Sequence, residues 1–197
     1  MKVYLAGPEV FLADATAVGV AKKAICRRFG VEGLYPFDQQ LEGVAPQLLA
    51  ATIFAANVEM IRRADAVVAN LTPFRGIGAD AGTVWEVGMA FGLGKPIYGY
   101  SNDPRPLFDR TATGLPRAEL QALPDGRVAH PDGMAIEDFG LADNLMIEEA
   151  IASSGGAFFI PGDGTAKNLA DLTLFETCLR ALVARQTIDA GPGAASL

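Results

Sequence analysis

Residues 64–100 read ADAVVANLTPFRGIGADAGTVWEVGMAFGLGKPIYGY, and the fold is best approached from them. The apolar run 66–69 has the length and composition of a buried strand. A loop containing Pro73, Gly76 and Gly78 follows. Residues 83–93 then carry a helix pattern, with Gly94 as its stop and Pro96 just beyond. The run 96–100 makes a second strand. A strand, a loop, a helix and another strand form the unit that builds parallel α/β sheets. The fold class expected is therefore α/β. It would have a single parallel sheet of about five strands flanked by helices, in a Rossmann-like or flavodoxin-like arrangement. Ligands of such sheets sit at the carboxyl ends of the strands. Asp80 lies in the loop at that end, and Glu86 is expected in the first helical turn.

Two carboxylates at this spacing can converge on one pocket. A helix N-terminus carries partial positive charge, which favours an ionised Glu86. An ionised carboxylate is a competent nucleophile at an electrophilic carbon. A second reading stands beside the first. Thr83-x-x-Glu86 also fits a capping box, in which Glu86 only satisfies the Thr83 backbone N–H. Gly82 would open backbone to a ligand between the two acids. Gly88 and Gly92 share a helical face and would let the helix approach the sheet.

Elsewhere the same alternation continues. The run 2–6 is a first strand ending at Gly7-Pro8, where a glycine either admits a ligand to backbone or simply makes a turn. A helix is expected over 13–29 and a short strand over 33–36. The loop Phe37-Asp38-Gln39-Gln40 follows at the same sheet edge as Gly7. A glutamine there has a donor and an acceptor with which to read a planar heterocycle, or is merely solvated. A long helix over 46–63 has Pro46 in its first turn and Asn57 in its interior, an unfavourable place for Asn. Residues 101–132, rich in Pro, Asp, Arg and Gly, suit a long functional loop or an insertion better than core. A helix over 142–153, an undecided apolar run at 157–160 and a final amphipathic helix over 168–186 complete the pattern. Residues 1–190 are expected to form one domain and 191–197 a flexible tail.

Composition narrows the function. The chain has 197 residues, half of them hydrophobic, enough for one domain with a substantial core. Its net charge of −7 argues against a nucleic-acid polymer or an anionic membrane surface as the main partner. The opening MKVYLAG is too short and too quickly polar for a secretory leader, and no apolar run reaches transmembrane length. A cytoplasmic protein is expected, with Cys26 and Cys178 as reduced thiols. One histidine and two distant cysteines make poor zinc ligands, and they leave carboxylates to carry any chemistry.

The segments MKVYLAGPEVF, ADAVVANLTPFRG, DAGTVWEVGMAFGLGKPIYGY and EDFGLADNLM together resemble the nucleoside 2-deoxyribosyltransferases. The Asp-x-Gly-x-x-x-Glu-x-Gly core is the most specific part. The resemblance spans 2–146. It implies transfer of 2-deoxyribose between nucleobases through a covalent glutamyl–deoxyribosyl intermediate, with no metal or organic cofactor. It places Glu86 as nucleophile, Asp80 as its companion at the sugar and Tyr4 as the residue orienting the nucleophile. Gln40 falls on a base-contacting glutamine. Asn57 falls where the family carries an Asp that protonates the departing base, a role an amide cannot fill. The resemblance further implies nucleosides and free nucleobases as partners, in a homo-oligomer whose active unit is a dimer. Asp138 and Asn144 are then candidates to reach a neighbouring subunit's site. Two alternatives remain. One is an N-glycoside hydrolase of deoxynucleosides or their 5′-monophosphates, for which Arg75 is the obvious cation. The other is a non-catalytic nucleoside-binding module, which would not need Asp80 and Glu86 together.

Overall fold

A computed structural model describes residues 1–39, 42–113, 115 and 119–189. In chain order its elements are β1 (Lys2–Ala6), α1 (Ala15–Arg28), β2 (Glu32–Leu34), α2 (Pro46–Arg63), β3 (Ala66–Asn70), α3 (Ala81–Gly92) and β4 (Ile97–Tyr100). Then come α4 (Leu107–Ala112), β5 (Gln121–Ala122), β6 (Val128–Ala129), α5 (Leu145–Ser153), β7 (Ala157–Phe159) and α6 (Thr173–Asp189).

Five strands form one parallel sheet in the order β2-β1-β3-β4-β7. The chain runs outward from β1 in one direction, then returns to build the other side. The β1/β3 boundary is thus the point where strand order reverses and a ligand crevice opens. Tyr4 sits at this boundary, paired with Leu34 on one side and Val67 on the other.

Successive β1 residues serve opposite faces. Val3 and Leu5 join a core with Cys26 of α1 and with Phe175, Cys178, Leu179 and Leu182 of α6. Tyr4 and Ala6 join a second core with Ile61 of α2, Val87 and Ala90 of α3, and Ile147 and Ile151 of α5. A sheet covered on both faces needs apolar residues at consecutive positions, which is why its strands read as unbroken apolar runs. Both cysteines are free and buried. No helix among the described residues is long and apolar enough to cross a membrane.

The undecided run near 157 is the edge strand β7. The described part of the 101–132 segment is more structured than its composition indicates. It begins with buried Ser101, Asn102 and Asp103 and includes α4 and the antiparallel pair β5–β6. Arg110 of α4 is buried and ties this segment to the body. Its Nε donates to the Ile77 carbonyl (2.7 Å), and its guanidinium lies 3.4 Å from Asp143.

A buried ion pair, invisible to hydropathy, underlies the β1 end. Lys22 of α1 and Glu9 are both fully buried, 2.5 Å apart. Glu9 Oε1 also accepts from Asn70 Nδ2 (2.9 Å) and Tyr100 Oη (3.1 Å). A Cβ on Gly7 would fall 2.0 Å from Glu9 Oε2 and 2.9 Å from Asn70 Cβ. Gly7 is therefore fixed by space.

Candidate active site

Four elements deliver side chains to one cavity of about 450 Å³ at the carboxyl end of the sheet. Gly7, Val10 and Phe11 line it from the turn after β1, and Pro36, Phe37 and Gln39 from the turn after β2. Ile53 and Asn57 come from α2, and Asp80, Gly82, Thr83 and Glu86 from the start of α3. The lining is mainly apolar, with acids and amides converging on it, as in small-molecule sites.

Asp80 is the N-cap of α3. Its Oδ2 accepts from the Thr83 N–H (2.9 Å) and Thr83 Oγ1 (3.0 Å), satisfying a helix-end donor. The capping box expected at Thr83 and Glu86 is thereby corrected: Thr83 already lies inside the helix. Glu86 is its sixth residue, beyond the first turn, and points to Tyr4 instead. The purpose expected for Gly88 and Gly92 is corrected too. A Cβ on either would meet nothing within 4 Å, so neither allows a close approach to the sheet. At Gly82 a Cβ would lie 3.1 Å from Asp80 Oδ2, so the glycine leaves room for that carboxylate.

The fully buried Tyr4 donates its hydroxyl to Glu86 Oε1 at 2.5 Å. Asn57 Nδ2 reaches the same oxygen at 3.4 Å. Gln39 Nε2 in turn donates to Asn57 Oδ1 at 2.5 Å. Burial is the largest influence on Glu86 and pushes its carboxyl up to about 7. The Tyr4 hydrogen bond opposes this, nearby Asp80 adds to it, and the Asn57 hydrogen bond opposes it. The helix-terminus argument for a fully ionised Glu86 thus yields to desolvation. Burial, then the Glu86 charge, raise the Tyr4 hydroxyl far above its usual value, so it stays a donor.

Glu86, Asp80, Tyr4, Asn57, Gly7 and Gly82 are therefore brought together. Gln40 lies outside the described residues. Gln39, its neighbour, lines the cavity and was not singled out in the sequence. A one-residue choice within a loop has no local signal; the turn Tyr35–Asp38, closed by Asp38 Oδ2 accepting from the Tyr35 N–H (3.1 Å), sets it. Asp138 and Asn144 do not line this cavity in the same chain. Asp138 is exposed beside β6. Asn144 caps α5, accepting from the Met146 N–H (3.0 Å) and donating to Glu137 (2.7 Å), and it borders a groove between α3 and α5.

The family model described as nucleoside 2-deoxyribosyltransferase matches residues 3–146. An uncharacterized protein of Schizosaccharomyces pombe is 32% identical over 195 residues, covering 93% of this chain and 89% of its own length. The solved 2-desoxiribosyltransferase from Leishmania mexicana is 30% identical, with a TM-score of 0.62 over 93% of this chain and 97% of that one. Extending from β1 to the first turn of α5, the family match takes in every element that lines the cavity, and the chain belongs to the nucleoside 2-deoxyribosyltransferase family.

Proposed function

We propose that this protein transfers 2-deoxyribose between nucleobases of 2′-deoxynucleosides, with Glu86 as the covalent nucleophile, and serves nucleoside salvage. The observation that carries the reading is the asymmetry of the Glu86 carboxylate. Oε1 receives both Tyr4 and Asn57, which leaves Oε2 without a hydrogen-bond partner among the described residues. Oε2 is the atom for the sugar's anomeric carbon. Its attack breaks the C1′–N bond, and the base leaves with the bonding pair. Asp80 and Glu86 stabilise the positive charge that develops on the ring. Asn57 assists departure by hydrogen bonding, since its amide N–H is far too weak an acid to transfer a proton. The departed base takes up a proton from solvent; a second base attacks C1′ through a ring nitrogen, expels Glu86 and returns that nitrogen's proton to solvent, and two displacements at one carbon give net retention.

The assay is deoxyinosine plus free adenine. New deoxyadenosine supports transfer, hypoxanthine with free deoxyribose supports hydrolysis, and no turnover supports a binding module. One feature favours a hydrolase of 5′-monophosphates. Arg75, at φ 54°, holds its guanidinium 5.2 Å from the ring of Phe11, a cavity residue, and 4.7 Å from Phe74. Repeating the assay with deoxyinosine 5′-monophosphate tests it.

The active unit in this reading is a dimer within a cytoplasmic homo-oligomer, and Asn144 or Asp138 of a neighbour completes the sugar's 5′ end. Mixing inactive Glu86→Gln subunits with Asn144→Ala subunits restores activity if sites are shared. Because Asn144 also caps its own helix, the Ala variant is checked for folding first; losing a cap costs about 1 kcal/mol.

A further inference from the structure

The hydrogen bonds leading from Glu86 to Gln39 have a fixed direction. Glu86 Oε1 is an acceptor, already receiving the Tyr4 hydroxyl. An amide beside it must present its nitrogen, and Asn57 does so. The other end of the Asn57 amide is then an oxygen. It can only accept, and Gln39 meets it with Nε2. The oxygen of Gln39 is what remains. Gln39 Oε1 is buried and has no hydrogen-bond partner among the described residues. Protonating Glu86 on Oε2 would not reverse the sequence, because Oε1 would keep both donors.

A buried carbonyl oxygen without a partner is unfavourable, and a ligand that supplies a donor relieves it. Gln39 lines the cavity next to Phe37 and Pro36, with Phe11 and Ile53 also on its lining, apolar surfaces suited to a flat ring. Resting on the reading of this cavity as a nucleoside site, we propose that Gln39 Oε1 reads the base and selects nucleobases that carry an exocyclic amino group over those with an oxo group at the same ring position. Replacing amino by oxo there turns a donor into an acceptor and sets oxygen against oxygen. The selection originates at Glu86. Tyr4 and the carboxylate orient Asn57, Asn57 orients Gln39, and Gln39 faces the base with an acceptor.

The test is calorimetric binding of free bases in two pairs, adenine with hypoxanthine and cytosine with uracil, to the wild type, Gln39→Met and Asn57→Leu. Within any pair that binds, the amino base should bind the wild type at least about tenfold more tightly, the discrimination typical when a buried polar group is left unmatched. Gln39→Met keeps the length of the side chain without the carbonyl, so the ratio should fall to within about twofold of unity. Asn57→Leu leaves Gln39 in place and frees its amide to turn, so the ratio should fall there too. Equal or tighter binding of the oxo base by the wild type overturns the proposal. So does retention of the ratio in either folded variant, or failure of all four bases to bind. Binding needs no turnover. A protein that prefers adenine yet transfers no deoxyribose refutes the transferase reading alone, and one that transfers without preference refutes this selection alone.

Discussion

Replacing Glu86 by Gln should make the protein more stable above neutral pH while abolishing its chemistry. Burial, with Asp80 nearby, raises the Glu86 carboxyl from 4.5 to about 7. Below the lower value the group is protonated in both folded and unfolded chains, and its ionisation has no effect on stability. Between the two values the unfolded chain loses its proton first, so stability falls as pH rises. Above about 7 the whole penalty is present. A shift of this size at about 1.4 kcal/mol per unit corresponds to a penalty on the order of 3 kcal/mol. Gln has nearly the same shape and does not titrate. The stability difference between variant and wild type should therefore move in the variant's favour by roughly that amount between about pH 4 and about pH 8. Denaturant unfolding of both proteins across this range measures it, and the subtraction removes every other titrating group common to the two. Turnover should fall by orders of magnitude with the fold intact, the usual opposition between stability and a desolvated functional group. A pH-independent difference would refute the desolvation argument. Near-normal turnover by the folded variant would refute Glu86 as nucleophile.

Activity should rise with pH through about 7 as Glu86 ionises; since the Tyr4 hydrogen bond lowers that value, Tyr4→Phe should move the rising limb of kcat/KM to higher pH, and an unmoved limb would separate Tyr4 from the nucleophile. Asn57→Leu should slow poor leaving bases more than an activated nitrophenyl-type aglycone, and equal losses would remove Asn57 from base departure. Lys22→Met should destabilise the protein by about 3–5 kcal/mol, because it leaves Glu9 buried without its ion-pair partner; adding Glu9→Gln should recover much of the loss, and an unchanged unfolding midpoint would contradict the burial of the pair.

The β3–α3–β4 unit was legible in residues 64–100 because its signals are local. An apolar run, a helical repeat, Gly94 and Pro96 each act through neighbouring residues, and the helix over Pro46–Arg63 was legible for the same reason. Asp80 and Glu86 were legible as a pair because both sit at the ligand-bearing edge of such a unit. What each one does there depended on the fold. Asp80, not Thr83, caps α3 because the helix starts at Ala81, within the boundary error of any local pattern. The Glu86 carboxyl is pushed up to about 7 by desolvation in a pocket where Tyr4 of β1 and Asn57 of α2 meet it, neighbours distant in sequence. Lys22 is inside because Glu9 is there to meet it, which neither residue's own hydropathy reveals. The choice of Gln39 came from a turn that aims one side chain at Asn57 across eighteen positions of chain. Local physics thus determined the elements and the acids. Only packing decided which atoms face one another, because donor and acceptor directions and desolvation exist between segments and not within them.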